Sequence, residues 1–295
     1  MIAFVAASPS IDRQHEIDVL RPGTIHRPHR VVAVAGGKAL NAARAAYSIG
    51  ADVRAVALLG GHAGRWVADT LADEGVALDV VKGPGETRMA LSVFADGPLT
   101  EFYEPAPKID GDHWAALEDA VAQAATDAGW VAISGSLPPG APPDAYGRLA
   151  EVARRSGARV ALDARGEGLF AGLHAAPDLV KVNASEAAEL GYATATPLLA
   201  AAGGTAAAIT HGADGMELAT PDGILQADPP ARGPFPVGCG DAALGGFLTA
   251  LDVGGGWSAA LALATGAAAA NAEVPGAGRL DGRRAAELAR EVRVV

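Results

Sequence analysis

The chain of 295 residues contains one cysteine, Cys239. A single thiol excludes an internal disulfide and any cysteine-based zinc framework, and it fits a reducing cytosol. Histidine is present seven times without a His-Glu-x-x-His arrangement, and His26 and His29, three residues apart, read as solvated. Positive charge is scarce: 23 Lys and Arg against 34 Asp and Glu leave a net charge of −11, which argues against nucleic acid or an anionic membrane as partner. Long apolar runs are missing too. The Ala-rich stretch from Ser258 to Val274 is interrupted by Thr265, Gly266 and Asn271 and reads as a buried helix rather than a membrane span. Met1–Ala7 lacks a positive n-region and is too short for a signal peptide. The expectation is a soluble, cytoplasmic protein. Half of its residues are hydrophobic, enough for the core of one large α/β domain over 1–295.

Ile2–Ala7 reads as a short buried strand ending at Ser8-Pro9-Ser10-Ile11-Asp12, so that Asp12 falls just past a strand end, where open α/β sheets bind ligands. Residues 14–35, punctuated by Pro22, Gly23 and Pro28, read as extended segments outside the main sheet. Gly36-Gly37 enters a helix that Gly50 stops. Lys38 and Asn41 share one face near its start. Asp52–Leu59 is a strand, a helix follows Gly60-Gly61 to about Asp73, and Leu78–Val81 is another strand. Asp96-Gly97 between Glu86–Phe94 and Leu99–Tyr103 signals a hairpin that carries Arg88 among apolar neighbours.

From residue 110 the pattern becomes regular. A helix covers Gly111–Ala125, and Val131–Ile133 is a strand ending at Ser134-Gly135-Ser136. A helix runs to Ser156. The strand Arg159–Leu162 ends at Asp163, Leu179–Val182 ends at Asn183-Ala184-Ser185-Glu186, and Ala206–Thr210 ends at His211-Gly212-Ala213-Asp214-Gly215. Helices at about 239–253, 257–273 and 281–291 close the chain. Loops rich in polar residues and glycine recur at the C-terminal ends of successive strands. The fold class is therefore α/β, a doubly wound, mostly parallel sheet flanked by helices.

Gly238-Cys239-Gly240-Asp241 opens the helix at 239. Glycines let backbone approach an anion, the free first-turn amides point at it, and the helix dipole favours it. Asp241 is then a carboxylate beside an anion site, where a base for an attacking hydroxyl belongs. On these residues alone a dipole-favoured helix start is equally consistent. The loose dinucleotide fingerprint Gly238-x-Gly240-x-x-Ala243 is rejected, because it follows Pro234-Phe235-Pro236 rather than a strand. Gly36-Gly37-Lys38-Ala39 is not a phosphate-binding P-loop, since Ala39 follows Lys38.

Three segments in this order resemble the PfkB (ribokinase-like) carbohydrate kinase family nearly end to end. Gly36-Gly37-Lys38-Ala39-Leu40-Asn41 is similar to its Gly-Gly-Lys-Gly-x-Asn signature, Pro236–Asp241 to its Thr-x-Gly-Ala-Gly-Asp signature, and Asn183-x-x-Glu186 to its Asn-x-x-Glu motif. Ser8–Arg13, Gly85–Arg88, Thr100-Glu101 and Ser134–Gly140 resemble the phosphosugar branch, the 1-phosphofructokinase, tagatose-6-phosphate kinase and minor 6-phosphofructokinase types.

The resemblance implies ATP-dependent phosphorylation of a phosphorylated ketohexose, with Asp241 as base and the amides of Gly238, Cys239 and Gly240 as anion hole. It implies Mg²⁺ organised by Asn183 and Glu186, mainly through water. Sugar hydroxyls would meet Asp12, Gly37 and Asn41, and the acceptor phosphate Lys38, Arg88 and Ser136, with Arg27 as a further candidate. The nucleotide would meet Thr210, Gly212 and Gly215, with Asn271 and Gly276 near the adenine. Approximately 13–35 and 86–104 would form a small β-sheet lid that also joins a homodimer.

Ala39 stands where the family has Gly, Arg165 where it has Ser, and Pro105-Ala106-Pro107 in place of a Gly-Pro. Thr24 stands near a phosphate-binding Lys of some relatives, and Pro236 begins a signature that usually starts with Ser or Thr. The departures at 24, 39, 106 and 165 fall at the sugar end. A kinase of an unphosphorylated sugar or nucleoside is the alternative on the same scaffold, and a catalytically idle sugar-binding regulator is the alternative from another class.

Overall fold

Ile2–Ala6 (β1) sends Ile2, Phe4 and Ala6 into one hydrophobic layer and Ala3 and Val5 into another. A strand that is apolar on both faces needs helices on both sides of its sheet. The computed structural model, which describes residues 1–97 and 99–295 and their side chains apart from that of Glu167, has that arrangement. The helices Lys38–Ile49, Gly61–Asp73, Cys239–Asp252 and Trp257–Ala272 bury Leu40, Val67, Leu244 and Leu261 against one face. The helices Gly111–Ala125, Ala145–Arg155, Gly166–Leu173 and Ala195–Ala202 bury Trp114, Leu149, Leu169 and Leu198 against the other.

The remaining strands are β2 (Ser10–Glu16), β3 (Arg30–Gly36), β4 (Val53–Leu59), β5 (Ala77–Lys82), β6 (Arg88–Phe94) and β7 (Thr100–Tyr103), followed by β8 (Trp130–Ser134), β9 (Arg159–Asp163), β10 (Leu179–Asn183), β11 (Ala206–Thr210), β12 (Met216–Thr220) and β13 (Gly223–Ala227). Among the described residues nine of the strands form the main sheet, in the order β13-β12-β11-β10-β9-β8-β1-β4-β5. It is parallel from β5 to β11. It ends in an antiparallel pair, β12 and β13, that the sequence reading did not anticipate.

Strand order reverses between β1 and β8, which pair in register Val5↔Ile133. Reversal sends the loops after β1 and β8 in opposite directions and opens a crevice at their C-terminal ends. Ser8 and Ser136 lie on its two sides.

The four other strands form a second sheet, β3-β2-β6-β7. Asp12 belongs to it. Where the sequence suggests a loop past β1, Asp12 instead sits inside β2, opposite Val34 and Ala90. The turn at Ser8-Pro9 is short enough that the chain re-enters extended structure at Ser10. Among the described residues no helix is long and apolar enough to cross a membrane.

Candidate active site

The helix Cys239–Asp252 starts from Gly238, whose φ of 87° lies in the left-handed region. A Cβ there would stand 2.6 Å from the Ala277 Cα and 2.7 Å from the Gly278 nitrogen, so only glycine fits. Asn271 holds the back of this turn. Its Oδ1 accepts from the Gly278 amide at 2.9 Å, and its Nδ2 faces the Val237 carbonyl at 3.4 Å. Asn271 is fully buried, and neither it nor Gly276 is among the residues lining the cleft.

The first-turn amides divide. The Cys239 N–H donates to the Pro236 carbonyl at 3.3 Å and that of Ala242 to Gly238 at 2.8 Å. The N–H groups of Gly240 and Asp241 have no acceptor among the described residues. The Cys239 amide expected in an anion hole is thus turned back on its own loop, and the free donors lie one residue further on. Burial, with the charge of Asp241 adding to it, pushes the Cys239 thiol up to about 12, so it is an inert neutral group at neutral pH.

Asp241 is buried at the bottom of this turn. Burial, and then the neighbouring Asp163, push its carboxyl up to about 7, opposed by Lys181, Lys38 and the Asn41 hydrogen bond. Asn41 joins Asp241 to the second sheet: its Nδ2 donates to Asp241 Oδ2 at 2.9 Å and to Asp12 Oδ2 at 3.2 Å. Asp12 also accepts from the Gly37 amide at 3.1 Å and the Ser10 hydroxyl at 2.5 Å. A Cβ on Gly36 would lie 2.1 Å from the Asp12 Cγ, which explains glycine at that position.

Beside Asp241 lies a charge cluster that sequence spacing could not assemble. Asp163, fully buried at the end of β9, accepts from Lys181 Nζ at 2.6 Å and from Lys38 Nζ at 2.8 Å. Lys38 also reaches Glu186 Oε1 at 2.7 Å. Burial works against charge on Asp163, but the two ammonium groups outweigh it and hold its carboxyl below the usual range. Burial likewise opposes the charge on Lys38, and Asp163, Glu186 and Asp241 together raise its pKa. Lys38, which also lines the cleft, is thus paired with carboxylates near Asp241.

Glu186 Oε2 accepts the Asn183 amide at 2.9 Å while Asn183 Oδ1 accepts the Glu186 amide at 2.8 Å, a reciprocal cap on the helix Ala184–Glu189. Among the described residues no three His, Cys, Asp or Glu side chains converge as a metal cage.

A cleft of about 530 Å³ connects these groups. Thr210, Gly212, Gly215 and Asn183 line one part, on the β10–β12 side, and Asp12, Gly37, Arg88 and Ser136 line the rest with Ser8 and Tyr103. Arg88 donates to the Ser8 hydroxyl and carbonyl at 3.2 Å. Arg165, named in the sequence only as a departure, also faces the cleft. Among the described side chains neither arginine has a carboxylate in salt-bridge range. Burial first, and repulsion from Arg165 after it, lowers the pKa of Arg88, with Asp12 opposing. Arg27 is exposed and outside the cleft.

Comparison with known proteins bears on the family and the fold. The family model described as pfkB family carbohydrate kinase matches residues 2–281. A 1-phosphofructokinase of Haloferax volcanii is 35% identical over 268 residues, covering 86% of this chain and 85% of that protein. Phosphofructokinase-2 from Escherichia coli, solved in complex with substrates and products, superposes with a TM-score of 0.90 at 24% identity, over 99% of this chain and 98% of its own. A ribokinase candidate from Agrobacterium tumefaciens superposes with a TM-score of 0.82 at 18% identity, over 98% and 97%. The two structural likenesses establish the fold, and a fold shared this widely leaves the acceptor to the residues of the site.

Proposed function

The chain belongs to the pfkB family of carbohydrate kinases, and on that footing we propose that it transfers the γ-phosphoryl group of ATP to a hydroxyl of a phosphorylated ketohexose. One observation carries the reading: Asp241, its carboxyl raised to about 7, sits at a helix start whose Gly240 and Asp241 amides are free. Asp241 takes the proton of the attacking hydroxyl, and a base that titrates near working pH does so most effectively. The free amides and the dipole of the Cys239–Asp252 helix stabilise charge on the transferring group. Lys38 and Lys181 add positive charge close by, held still by Asp163. Phosphoryl transfer asks for positioning and charge stabilisation of this kind more than for covalent help.

Mg²⁺ fits a carboxylate whose oxygens are already hydrogen-bonded only as an ion held by phosphates and water, so Asn183 and Glu186 would orient its waters. When bound, it neutralises charge on the ATP phosphates. Thr210, Gly212 and Gly215 flank the nucleotide. Asp12, Gly37 and Asn41 hold the sugar hydroxyls. Arg88 and Arg165, two guanidinium groups facing one cleft, receive the phosphate that the acceptor already bears, beside Ser136. The second sheet acts as a lid that keeps water from the transfer. Its outer residues Val31 and Phe102, more than half exposed, offer an apolar surface for a homodimer.

ATP consumption measured against fructose 1-phosphate, fructose 6-phosphate, tagatose 6-phosphate and free ketoses tests the reading. Turnover of a phosphosugar is expected, fructose 1-phosphate first in view of the Haloferax relative. Turnover of free sugars or nucleosides alone would replace it with the alternative acceptor class, and sugar binding without turnover would make the chain an idle binder.

A further inference from the structure

Arg44 has no place in the chemistry above, yet it is one of the most deeply buried charges in the chain, 3% exposed within the Lys38–Ile49 helix. Burying a guanidinium is costly unless it is paired and hydrogen-bonded. All three nitrogens of Arg44 donate, making four hydrogen bonds in all. Nε donates to Glu74 at 2.7 Å, Nη2 to the Ala35 carbonyl at 2.5 Å, and Nη1 to the Ala277 carbonyl at 3.1 Å and to Asn41 Oδ1 at 3.3 Å. Ala35 is the last residue before the glycine pair that joins β3 to this helix. Ala277 is the residue against which Gly238 is pressed.

We infer that Arg44 is a positioning residue that fixes the side-chain amide of Asn41, so that its two hydrogens go to Asp12 and Asp241. An amide has one acceptor end and one end with two donors. Two carboxylates, Asp12 and Asp241, face Asn41 from different sheets and helices, and both need donors. Turned over, the amide would set its oxygen against two carboxylates and its NH₂ against a guanidinium. A cation on the Oδ1 side excludes that arrangement. The same guanidinium ties the amide to the root of the second sheet at Ala35 and to the backing of the anion site at Ala277. Three parts of the site thus share one rigid anchor 9 residues from Ala35 and 233 from Ala277 in sequence.

The inference rests on Asp241 being the base, and the test separates the two. The groups facing Asp241 are Asp163 on β9, Lys181 on β10, Lys38 and Asn41 on the Lys38–Ile49 helix, and Cys239 on its own helix. Of these only Asn41 is held by Arg44. A hydrogen bond to the carboxylate favours its charged form, so losing the bond moves the acid limb of kcat to higher pH. Arg44→Lys and Arg44→Met should lower kcat about tenfold or more, as expected for loss of a hydrogen bond to a charged group, and raise the acid limb, with Lys the milder. The KM for ATP should change little. Glu74→Gln keeps an acceptor for Nε and leaves Asn41 held, so it should lower the melting temperature while keeping the wild-type limb.

A merely structural Arg44 would lower stability in all three variants and move the limb in none, which would overturn the inference. The unmutated enzyme gives a second reading should the Arg44 variants fail to fold. The Asn41 side-chain amide, assigned as the NH₂ pair missing from Asn41→Leu, should give two resolved, slowly exchanging proton signals that titrate with the acid limb. An averaged or pH-insensitive pair would also overturn the inference. A wild-type enzyme with no acid limb at all would instead remove Asp241 as the base.

Discussion

Replacing Asp163 by Leu strands a buried charge, Lys181, that has no second salt-bridge partner among the described residues. Asp163 is fully buried and accepts from two ammonium groups, at 2.6 Å from Lys181 and 2.8 Å from Lys38. Lys38 retains Glu186 at 2.7 Å and is 27% exposed, so it can remain charged where it is. Lys181 is 2% exposed, and Asp163 is its one salt-bridge partner among the described residues. Breaking a buried pair by removing one partner costs about 3–5 kcal/mol. For a chain of this size that corresponds to a fall in melting temperature on the order of 10 °C.

The second substitution Lys181→Met removes the stranded charge and should recover more than half of the loss, a coupling that a double-mutant cycle reads directly. The pH dependence has a fixed sign. The folded-state pKa of Asp163 is depressed, so its contribution is complete at neutral pH and fades as pH falls from about 4 through the depressed value. The difference between wild type and Asp163→Leu should shrink over the same range. Thermal melts by circular dichroism with urea titrations at pH 7 supply the measurement. A single variant melting within about 2 °C of wild type, or a double variant no more stable than the single, would refute the account of this cluster.

Other expectations come from the same site. With Asp241 raised to about 7 in the free enzyme, kcat/KM for the acceptor should fall as pH drops below that value, approaching tenfold per unit, and a flat profile between about pH 5.5 and 8 would contradict it. Arg165→Ser and Arg88→Ala should each raise the KM for a phosphosugar about tenfold or more while leaving the KM for ATP near wild type; unchanged acceptor KM in both would remove the acceptor phosphate from this part of the cleft. Cys239→Ala should be close to silent in kcat and KM, because the thiol only faces the Phe235 carbonyl at 3.5 Å and is neutral at working pH.

Periodicity and punctuation were enough for most elements. Gly111–Ala125 was legible to the residue, because Asp110 caps it and its apolar face recurs with helical spacing through Trp114, Leu117 and Val121. The antiparallel pairing of β6 with β7 was legible from the Asp96-Gly97 turn signal, whose neighbour Pro98 lies outside the described residues. The β12–β13 pair was not. Its strands are five residues long, follow a Gly-rich turn and enter an otherwise parallel sheet, where a helix is the ordinary continuation. Asp12 falls near the expected neighbours but in a different kind of structure, since nothing local distinguishes a loop after β1 from the first residues of β2.

Within the site, local motifs were readable and distant pairings were not. The Gly238–Asp241 turn and the Asn183–Glu186 segment are built from adjacent residues and stand out in the sequence, but the backward turn of the Cys239 amide to Pro236 and the reciprocal cap of Asn183 and Glu186 appear only in the fold. Lys38 meets Asp163 and Glu186 across 125 and 148 residues, so its neighbours in sequence could not reveal its partners. Lys181 was hidden for another reason: it reads as part of the apolar strand Leu179–Val182, and only the fold brings Asp163 beside it. Arg165 was noticed as an exception and acquires a role only once it faces the same cleft as Arg88.

The central claim is that Asp241 takes the proton of the acceptor hydroxyl. Asp241→Asn keeps the size of the side chain and an oxygen for Asn41, and removes the base alone. Single-turnover transfer from ATP to the phosphosugar should fall about 10²–10⁴-fold while ATP affinity by calorimetry is retained. A transfer rate within about tenfold of wild type, with the sugar still phosphorylated, would contradict the assignment of Asp241 and the mechanism built on it.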